Sequence, residues 1–424
     1  MLAAQPRRVA IIGYNRIPFA RQFTNYAQAS NQDMMVAAMN GLITKCNLAG
    51  KQLGEVAGGA VIKHSWEINL MRECVLHTSL NPKTPACDIQ QACNTGLEAT
   101  MYIANKIALG QIDCGIAGGV DSTSNVPLVL NEHIRKLLLT ARREKTTWGK
   151  LKALGKIKLG DLSPVAPQNL EPGTGLSMGG HTEYTAKYFN ISREAQDAFA
   201  LGSHQKMAAA TDRGFFKDMV SPYLGLTEDN NMRRDTSLEK LARLKPAFDK
   251  INGTLTAGNS SPLTDGASCL LLASEEWAAQ NNLPVLAYIT HAEIAAIEYI
   301  EQKHNLLLAP VYAAPKMLQK AGLTLQDFDF YEIHEAFAAQ VLALLKIWES
   351  DELSAQFGVP ALGSIDLSKL NVNGSSLATG HPFAATGGRV IATLAKLLNE
   401  KGNGCGLISV CAAGGQGMTM ILEK

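Results

Sequence analysis

The stretch DIQQACNTGLEATMYIANKIA (88–108), followed by CGIAGG (114–119), decides the fold class of this chain. A short apolar run before residue 90 predicts a strand, and apolar residues at helical spacing after Cys93 predict a helix. The apolar run from Cys114 predicts the next strand. A strand–helix–strand order of this kind is typical of an α/β fold with mostly buried strands.

The same alternation extends to both ends of the sequence. Before residue 88, VAIIG (9–13) and AVIK (60–63) predict strands, and helical spacing predicts helices near 32–47 and 69–79. Near the C-terminus the order returns in four segments: DFYEIHEAFA (329–338), a helix from Thr386, GLISVCAAGG (406–415) and MTMILE (418–423). We therefore expect an α/β fold along most of the chain.

The two ends also match each other at a fixed offset. Thr95-Gly96 corresponds to Thr386-Gly387, and Cys114-Gly115-Ile116 corresponds to Cys405-Gly406-Leu407, in each case 291 residues later (386 − 95 and 405 − 114). Together with the matching order of strands and helices, this offset predicts an internal duplication.

The middle of the chain has a different composition. It contains a basic run, RKLLLTARREKTTWGKLKALGKIKLG (135–160), a Pro/Gly-rich patch and a helical pattern at 192–213. We predict an inserted loop domain at 127–255, of the kind that commonly carries substrate specificity. The predicted N-terminal half is then 1–126, completed by 256–284, and the C-terminal half is 285–424.

Composition excludes several classes of protein. The chain has 424 residues, with 39 Lys plus Arg against 38 Asp plus Glu, so nothing drives it as a whole toward nucleic acid. No signal peptide or apolar run of about 18 residues is recognisable, which predicts a cytoplasmic protein without a transmembrane helix. The eight cysteines include no CxxC pair, so we expect reduced thiols and no metal site.

Cys93 is the first candidate for chemistry, because it lies where a strand pattern meets a helical one. A sulfur at such a turn points outward, and the amides at the start of a helix favour the thiolate. A buried structural cysteine is the alternative at this single position.

Three further segments add candidate catalytic residues to Cys93. HEAFA (334–338), GHP (380–382) and CAAGGQG (411–417) each place a histidine or cysteine beside small residues at a strand-to-loop junction. With Cys93, this supplies a thiol nucleophile, a base, a second thiol to move protons and donors for an oxyanion. Acyl transfer needs these four parts.

At this point the sequence resembles the thiolase family, nearly end to end. The resemblance rests on ordered motifs: RIPFAR (16–21), the Cys93 segment, LSMG (176–179), LKPAF (244–248), TAGNSSPLTDGA (256–267), HEAFAAQ (334–340), NVNGSSLATGHP (371–382) and CAAGGQG (411–417). It implies an α/β fold of two duplicated halves packed as five α-β-α-β-α layers, with an inserted loop domain. It further implies assembly as a homodimer or homotetramer. Coenzyme A and its thioesters would be substrates, and no cofactor would be needed.

The resemblance also assigns roles. Cys93 would be the acylated nucleophile, and His381 would take its proton and then help bind the thioester oxyanion. Cys411 would protonate the departing enolate of acetyl-CoA and later deprotonate incoming CoA. The backbone amides of Cys93 and Ala413 would form a second oxyanion hole, although many family members have glycine in place of Ala413.

His334 is a departure, because many thiolases carry Asn-Glu-Ala-Phe where this chain has His-Glu-Ala-Phe. The variant resembles the β subunit of the trifunctional fatty-acid oxidation complex and implies cleavage of 3-ketoacyl-CoA in fatty-acid β-oxidation. His334 can still donate to an enolate oxygen. Glu335 would orient His334 or a water molecule; the alternative is a carboxylate that stabilises a helix start.

Four residues are candidates for binding CoA by the same resemblance. Met178 and Ser261 match positions that line the pantetheine tunnel. Arg233 and Arg234 are candidates for the adenosine phosphate, with a solvated charge run as the alternative.

Other interpretations stay open. A 3-ketoacyl-acyl-carrier-protein synthase shares the duplicated fold but lacks a second catalytic cysteine such as Cys411. A biosynthetic acetoacetyl-CoA thiolase would use the same residues, and a non-catalytic CoA-binding or membrane-docking subunit would have lost one of them.

Between residues 135 and 158, nine cations face one acid. This segment is either a solvated surface or a docking surface, for an anionic membrane or a hydratase/dehydrogenase α subunit. Nucleic-acid binding is poorly supported, because Trp148 is the segment's single aromatic residue.

Overall fold

The computed structural model describes residues 6–424, which form an α/β fold of ten strands and fourteen α-helices. The strands are β1 (Val9–Arg16), β2 (Ala20–Arg21), β3 (Glu55–Gly58), β4 (Ala86–Asp88), β5 (Cys114–Asp121), β6 (Thr264–Ser274), β7 (Ala287–Ala296), β8 (Phe330–Ile333), β9 (Cys405–Ala412) and β10 (Gln416–Glu423). The helices are α1 (Asn31–Lys45), α2 (Leu70–Leu76), α3 (Thr95–Ala108), α4 (Glu132–Arg143), α5 (Thr147–Leu154), α6 (Met178–Tyr188), α7 (Arg193–Asp212), α8 (Leu238–Ala242), α9 (Glu275–Gln280), α10 (Pro310–Ala321), α11 (Ala338–Glu349), α12 (Asp351–Gln356), α13 (Ser376–Thr379) and α14 (Thr386–Lys401).

The order of the strands repeats between the two halves of the chain. The sheet runs β4-β3-β5-β6-β1 in the first half and continues β7-β10-β9-β8 in the second. Read from the outer edges, β3-β5-β6-β1 corresponds to β8-β9-β10-β7. Leu370 makes a single parallel bridge to Tyr331 of β8, in the position that β4 has beside β3. The halves join where β1 and β7 pair in antiparallel fashion, from Val9 to Ile11. The predicted duplication is confirmed by this repeated order.

Three apolar cores separate the layers of helix and sheet. One core lies between α1 and α2 and the strands of the first half, and a second packs α10 and α11 on the strands of the second half. The third core surrounds α3 and α14 and takes side chains from strands of both halves. Along β6, Leu271 points into the first core and Leu270 and Leu272 point into the third, because side chains alternate along a strand. Both faces of β6 are therefore buried.

The duplicated Thr-Gly pairs mark the place where the two central helices touch. A Cβ atom on Gly387 would lie 2.4 Å from the backbone nitrogen of Leu97, and one on Gly96 would lie 2.7 Å from the carbonyl oxygen of Ala384. The starts of α3 and α14 can approach this closely because both positions are glycine. This contact brings the segments before the two helices, which hold Cys93 and His381, close together.

The inserted region packs on the second half of the chain. Ala186 and Phe189 at the end of α6 belong to the same core as α10 and α11. A buried ion pair joins Arg16 of β1 to Asp229, with donor–acceptor distances of 2.5 and 2.7 Å. After the insertion the chain returns as β6, which lies between β5 and β1. The domain boundaries given above stay predictions.

The predicted strand at 60–63 is wrong, because β3 ends at Gly58. The amides of Val61 and Ile62 instead donate to the carboxylate of Asp121, at 2.9 and 2.8 Å. The Asp121 side chain thus accepts the hydrogen bonds that the carbonyl oxygens of a neighbouring strand would otherwise accept.

Within residues 6–424 no helix combines the length and the apolar character that crossing a bilayer requires.

Candidate active site

Cys93 lies in the turn between β4 and α3, as the sequence predicts. The preceding residue, Ala92, has a φ of 47°, a left-handed conformation that is costly for alanine. Thr95 secures the turn: its hydroxyl donates to the carbonyl of Ala92 at 2.7 Å and accepts from the amide of Gln91 at 2.9 Å. The strained turn presents the Cys93 sulfur at the end of the sheet.

His381 lies in the equivalent place before α14. Gly380 precedes it with a φ of 105°, a conformation that favours glycine. The His381 amide donates to Thr264 Oγ1 at 2.8 Å, and its ring nitrogen Nδ1 lies 2.6 Å from Thr386 Oγ1. The other ring nitrogen, Nε2, is 3.1 Å from Cys93 Sγ. With Nδ1–H donating to Thr386, Nε2 is free to accept the proton of the thiol.

Burial decides the resting charges of this pair. It raises the pKa of the Cys93 thiol to about 12, although a hydrogen bond from the Ala413 amide acts in the opposite direction. It also lowers the pKa of His381 to about 3, with the charge of Arg389 contributing. The Cys93 amide at the helix start does favour the thiolate, as expected, but burial has the larger effect on the pKa. The resting pair is a neutral thiol and a neutral imidazole.

Cys411 and Ala413 reach the site from the end of β9. Cys411 is 2% exposed and lines the same cavity as Cys93, and burial raises its pKa well above the usual value for a thiol. The backbone amides of Ala413 and Cys93 both favour the thiolate form of Cys93, and Ala413 has the larger effect. The two amides predicted to form an oxyanion hole thus lie at the nucleophile.

Glu171, in the inserted region, fixes the loop that carries Ala413. One oxygen of its buried carboxylate accepts from the Gly414 amide at 2.7 Å, and the other accepts from the hydroxyl of Tyr299 at 2.7 Å. Gly414 and Gly415 both have positive φ, so the chain turns sharply after Ala413. Glu171 therefore holds the peptide unit next to the oxyanion donor.

His334 is fully buried beside His381, with 4.1 Å between the ring centroids. Its Nδ1 atom lies 2.7 Å from Ser376 Oγ, and the same oxygen accepts from Arg389 Nη2 at 2.7 Å. Among residues 6–424, no group bonds its Nε2 atom. His334 is thus held at one ring nitrogen and unpartnered at the other.

Glu335 makes no hydrogen bond to His334, and its role in orienting a water molecule stays a prediction. Its carboxylate accepts from Ser203 Oγ and Asn371 Nδ2, both at 2.7 Å, and from the Leu377 amide at 3.2 Å. These contacts join α7, the loop after β8 and α13. The Glu335 side chain is therefore a structural link, and Ser376 makes the contact to His334.

A cavity of 480 Å³ opens onto Cys93, His381 and Cys411, and Met178 and Ser261 also line it. A second cavity of 790 Å³ shares Ser261 with the first. The two cavities are adjacent, because they share six lining residues: Gln22, Phe248, Ser260, Ser261, Pro262 and Leu263.

The two arginines proposed for CoA differ in their surroundings. Arg233 lines the second cavity, together with Arg21 and Lys240. Arg234 lines neither cavity and pairs with Asp212 at 2.9 Å on the surface. The pair with Asp212 favours the alternative of a solvated charge run, and the contact of Arg234 with the adenosine phosphate stays a prediction.

Sequence reasoning missed the residues that hold the reacting groups. Thr386, Thr264, Ser376, Arg389 and Glu171 touch the predicted catalytic residues or their loop. Thr386 was visible as half of a duplicated Thr-Gly pair, and Ser376 as part of NVNGSSLATGHP. Glu171 gave no signal in the sequence, since its contact joins residues 243 positions apart. Within the described range, no three His, Cys, Asp or Glu side chains are grouped to hold a metal ion.

A thiol in contact with a histidine, with a second thiol at the same cavity of a duplicated α/β fold, is the arrangement of a cysteine-dependent acyltransferase. Residues 9–276 match the family described as thiolase, N-terminal domain, and residues 283–424 match thiolase, C-terminal domain. The chain belongs to the thiolase family.

Curated relatives and solved structures agree with that placement. Proteins named 3-ketoacyl-CoA thiolase from Yersinia pestis and Yersinia pseudotuberculosis are each 40% identical over 431 residues, covering 100% of this chain and 98% of theirs. The acetyl-CoA acetyltransferase of Bacillus anthracis superposes with a TM-score of 0.84 at 30% identity, covering 99% of both chains. Human mitochondrial 3-ketoacyl-CoA thiolase superposes with a TM-score of 0.83 at 28% identity, covering 99% of this chain and 100% of its own.

Proposed function

We propose that this enzyme cleaves 3-ketoacyl-CoA with CoA, giving acetyl-CoA and an acyl-CoA two carbons shorter, in fatty-acid β-oxidation. One observation carries the proposal: His381 Nε2 lies 3.1 Å from the Cys93 sulfur in a cavity that Cys411 also lines. The 40% identity to proteins named 3-ketoacyl-CoA thiolase supports the degradative direction.

In the first half-reaction the Cys93 sulfur attacks the 3-keto carbon as its proton passes to His381 Nε2. The amides of Cys93 and Ala413 stabilise the oxyanion that forms, since preorganised donors act where charge develops. Collapse breaks the C2–C3 bond and leaves the acyl group on Cys93. The electron pair moves into the enolate of acetyl-CoA, and the Cys411 thiol gives its proton to C2.

In the second half-reaction the Cys411 thiolate takes the proton of incoming CoA. The CoA sulfur attacks the acyl-Cys93 thioester, and the same two amides hold the oxyanion. Cys93 leaves as a thiolate and recovers its proton from the His381 imidazolium. Each residue returns to its starting state, so the cycle balances with CoA as the second substrate.

The two adjacent cavities fit the parts of CoA. The narrower cavity, lined by Met178 and Ser261, would take the pantetheine arm that carries the thioester. The wider one is lined by Arg233, Arg21 and Lys240, whose cations would bind the phosphates of the adenosine end.

We further propose a reducing, cytoplasm-like compartment and a homodimer or homotetramer. Catalysis needs Cys93 and Cys411 as two separate thiols in one cavity, and an oxidising compartment would threaten that state. All eight cysteines are free.

Sedimentation velocity measures directly whether the protein is the proposed homodimer or homotetramer.

The helical hairpin α4–α5 is proposed to dock on an anionic membrane. Ile134, Ala141 and Ala153 are its buried residues, whereas Trp148 is 76% exposed beside a run of cations. The exposed Trp148 ring can insert into a lipid surface, and the neighbouring cations can bind its anionic headgroups. Because this attraction is electrostatic, added salt should weaken binding. A hydratase/dehydrogenase α subunit is the competing occupant.

Charge reversal tests the hairpin. Arg142→Glu with Arg143→Glu should reduce co-sedimentation with phosphatidylserine vesicles at low salt, whereas Lys83→Glu with Lys217→Glu, two exposed lysines elsewhere, should not. Thiolysis of a short substrate should stay the same in both variants. Loss of α-subunit capture with vesicle binding unchanged would assign the hairpin to the protein partner, and no change in either assay would leave it a solvated surface.

Steady-state thiolysis tests the main proposal. A series of 3-ketoacyl-CoA chain lengths at several CoA concentrations should give ping-pong kinetics, because the acyl-enzyme separates the two CoA events. Cys93→Ala should abolish turnover. Activity confined to acetoacetyl-CoA would favour the biosynthetic alternative, and inactivity of the parent towards every length would favour a non-catalytic subunit.

A further inference from the structure

The hydrogen bonds around Ser376 have a direction that determines the state of His334. Arg389 Nη2 lies 2.7 Å from Ser376 Oγ, and Nη1 and Nη2 each lie 3.3 Å from Ser375 Oγ. A guanidinium has donors and no acceptor. Ser376 Oγ therefore accepts from Arg389, and the hydroxyl hydrogen must find another acceptor.

The remaining neighbour of that hydroxyl is His334 Nδ1, at 2.7 Å. If Nδ1 carried a proton, both it and the serine hydroxyl would present hydrogens to each other, or the hydroxyl hydrogen would be buried without an acceptor. Either arrangement is costly for a group that is fully buried. The arrangement that satisfies both has the Ser376 hydroxyl donating to an unprotonated Nδ1.

A neutral imidazole with an unprotonated Nδ1 carries its proton on Nε2. Burial, with the charge of Arg389, lowers the pKa of His334 well below its usual value, so the ring is neutral. Its Nε2 is buried and has no partner among residues 6–424. The ring lies against His381, whose own Nε2 contacts the Cys93 sulfur.

We infer that Arg389 and Ser376 are positioning residues that fix His334 as the Nε2–H tautomer, so that it donates a hydrogen bond, alone or through a water molecule, to the substrate's thioester or enolate oxygen. This inference rests on the proposed function and explains how histidine can stand where many thiolases have asparagine. An asparagine amide always carries N–H donors, whereas histidine is a donor at Nε2 in one tautomer only. Arg389 and Ser376 together keep a proton on Nε2 of His334, so that the histidine offers the N–H donor that an asparagine would offer at this position.

Nitrogen NMR tests the tautomer without depending on catalysis. In the enzyme labelled with ¹⁵N-histidine, the ring signals of His334 are identified by their loss in His334→Asn. The parent should show a protonated Nε2 and an unprotonated Nδ1. Ser376→Ala should move the proton partly to Nδ1, while Ser375→Ala, which removes a hydroxyl that contacts Arg389 but not His334, should keep the parent pattern. A protonated Nδ1 at His334 of the parent would overturn the inference whether or not the serine variants fold.

A double-mutant cycle tests the consequence for catalysis. Ser376→Ala should lower kcat for thiolysis by about tenfold or more, within the range for one oxyanion donor. In the His334→Asn background the same change should cost less than about threefold, because an amide has no tautomer to lose. Equal losses in both backgrounds would show a merely structural serine and refute the inference. A parent without thiolysis activity would refute the proposed function, while the NMR result would still decide the tautomer.

Discussion

Replacing Glu171 with alanine should slow the acylation of Cys93 although Glu171 touches no reacting atom. The carboxylate accepts from the Gly414 amide at 2.7 Å, and the neighbouring Ala413 amide favours the thiolate form of Cys93. Complete loss of one oxyanion donor costs about 10²–10³ in kcat. Ala412 still pairs with Gln416, which limits the movement of the loop. We therefore expect a loss of about tenfold to a hundredfold, equivalent to about 1.4–2.7 kcal/mol of transition-state stabilisation.

The assay follows acetylation of Cys93 by acetyl-CoA with rapid quenching and intact mass spectrometry. The final stoichiometry gives the fraction of competent sites, so the rate per competent site is unaffected by partial unfolding. Glu171→Gln, which keeps an acceptor for Gly414, should stay within a few-fold of the parent. Glu298→Ala, the loss of an exposed acid near Tyr299, serves as a matched control. If Glu171→Ala acylates at the parent's rate per competent site, the carboxylate does not position the oxyanion hole.

Three further predictions follow from the same geometry. Cys411→Ala should abolish thiolysis yet leave the nucleophile open to acetylation by acetyl-CoA, because that step moves no proton at carbon; full turnover of this variant would make Cys411 structural. Because the pKa of His381 is lowered to about 3, its base form persists as pH falls, and the single-turnover acylation rate should not halve between pH 8 and 5.5; a half-loss near pH 6.5 would show an ordinary histidine. Asp229→Ala should lower the free energy of unfolding in urea by about 3–5 kcal/mol, because it leaves Arg16 buried without its partner; the exposed Asp235→Ala should change it little, and equal effects would contradict this account.

The pKa of Cys93 shows that a local sequence pattern captures only part of what sets the charge of a group. A cysteine at the start of a helix predicts a lowered pKa, since the helix amides favour the thiolate. The structure instead surrounds Cys93 with β9, α14 and the inserted region, and burial raises the pKa. Desolvation depends on every neighbouring atom, and most of those neighbours are distant in sequence.

What the sequence by itself determined is the repeated order of strands and helices, the duplication at an offset of 291 residues, and the four side chains that are candidates for the chemistry. Each of these depends on periodicity, or on residue types within a few positions of one another. The tertiary structure alone decided which groups hold the reacting atoms. Glu171 reaches Gly414 across 243 residues and Ser376 reaches His334 across 42, and Glu335 turns away from the histidine beside it in sequence. Hydrogen bonds are specific to distance and direction, so their partners are fixed only when the packed halves bring distant segments together.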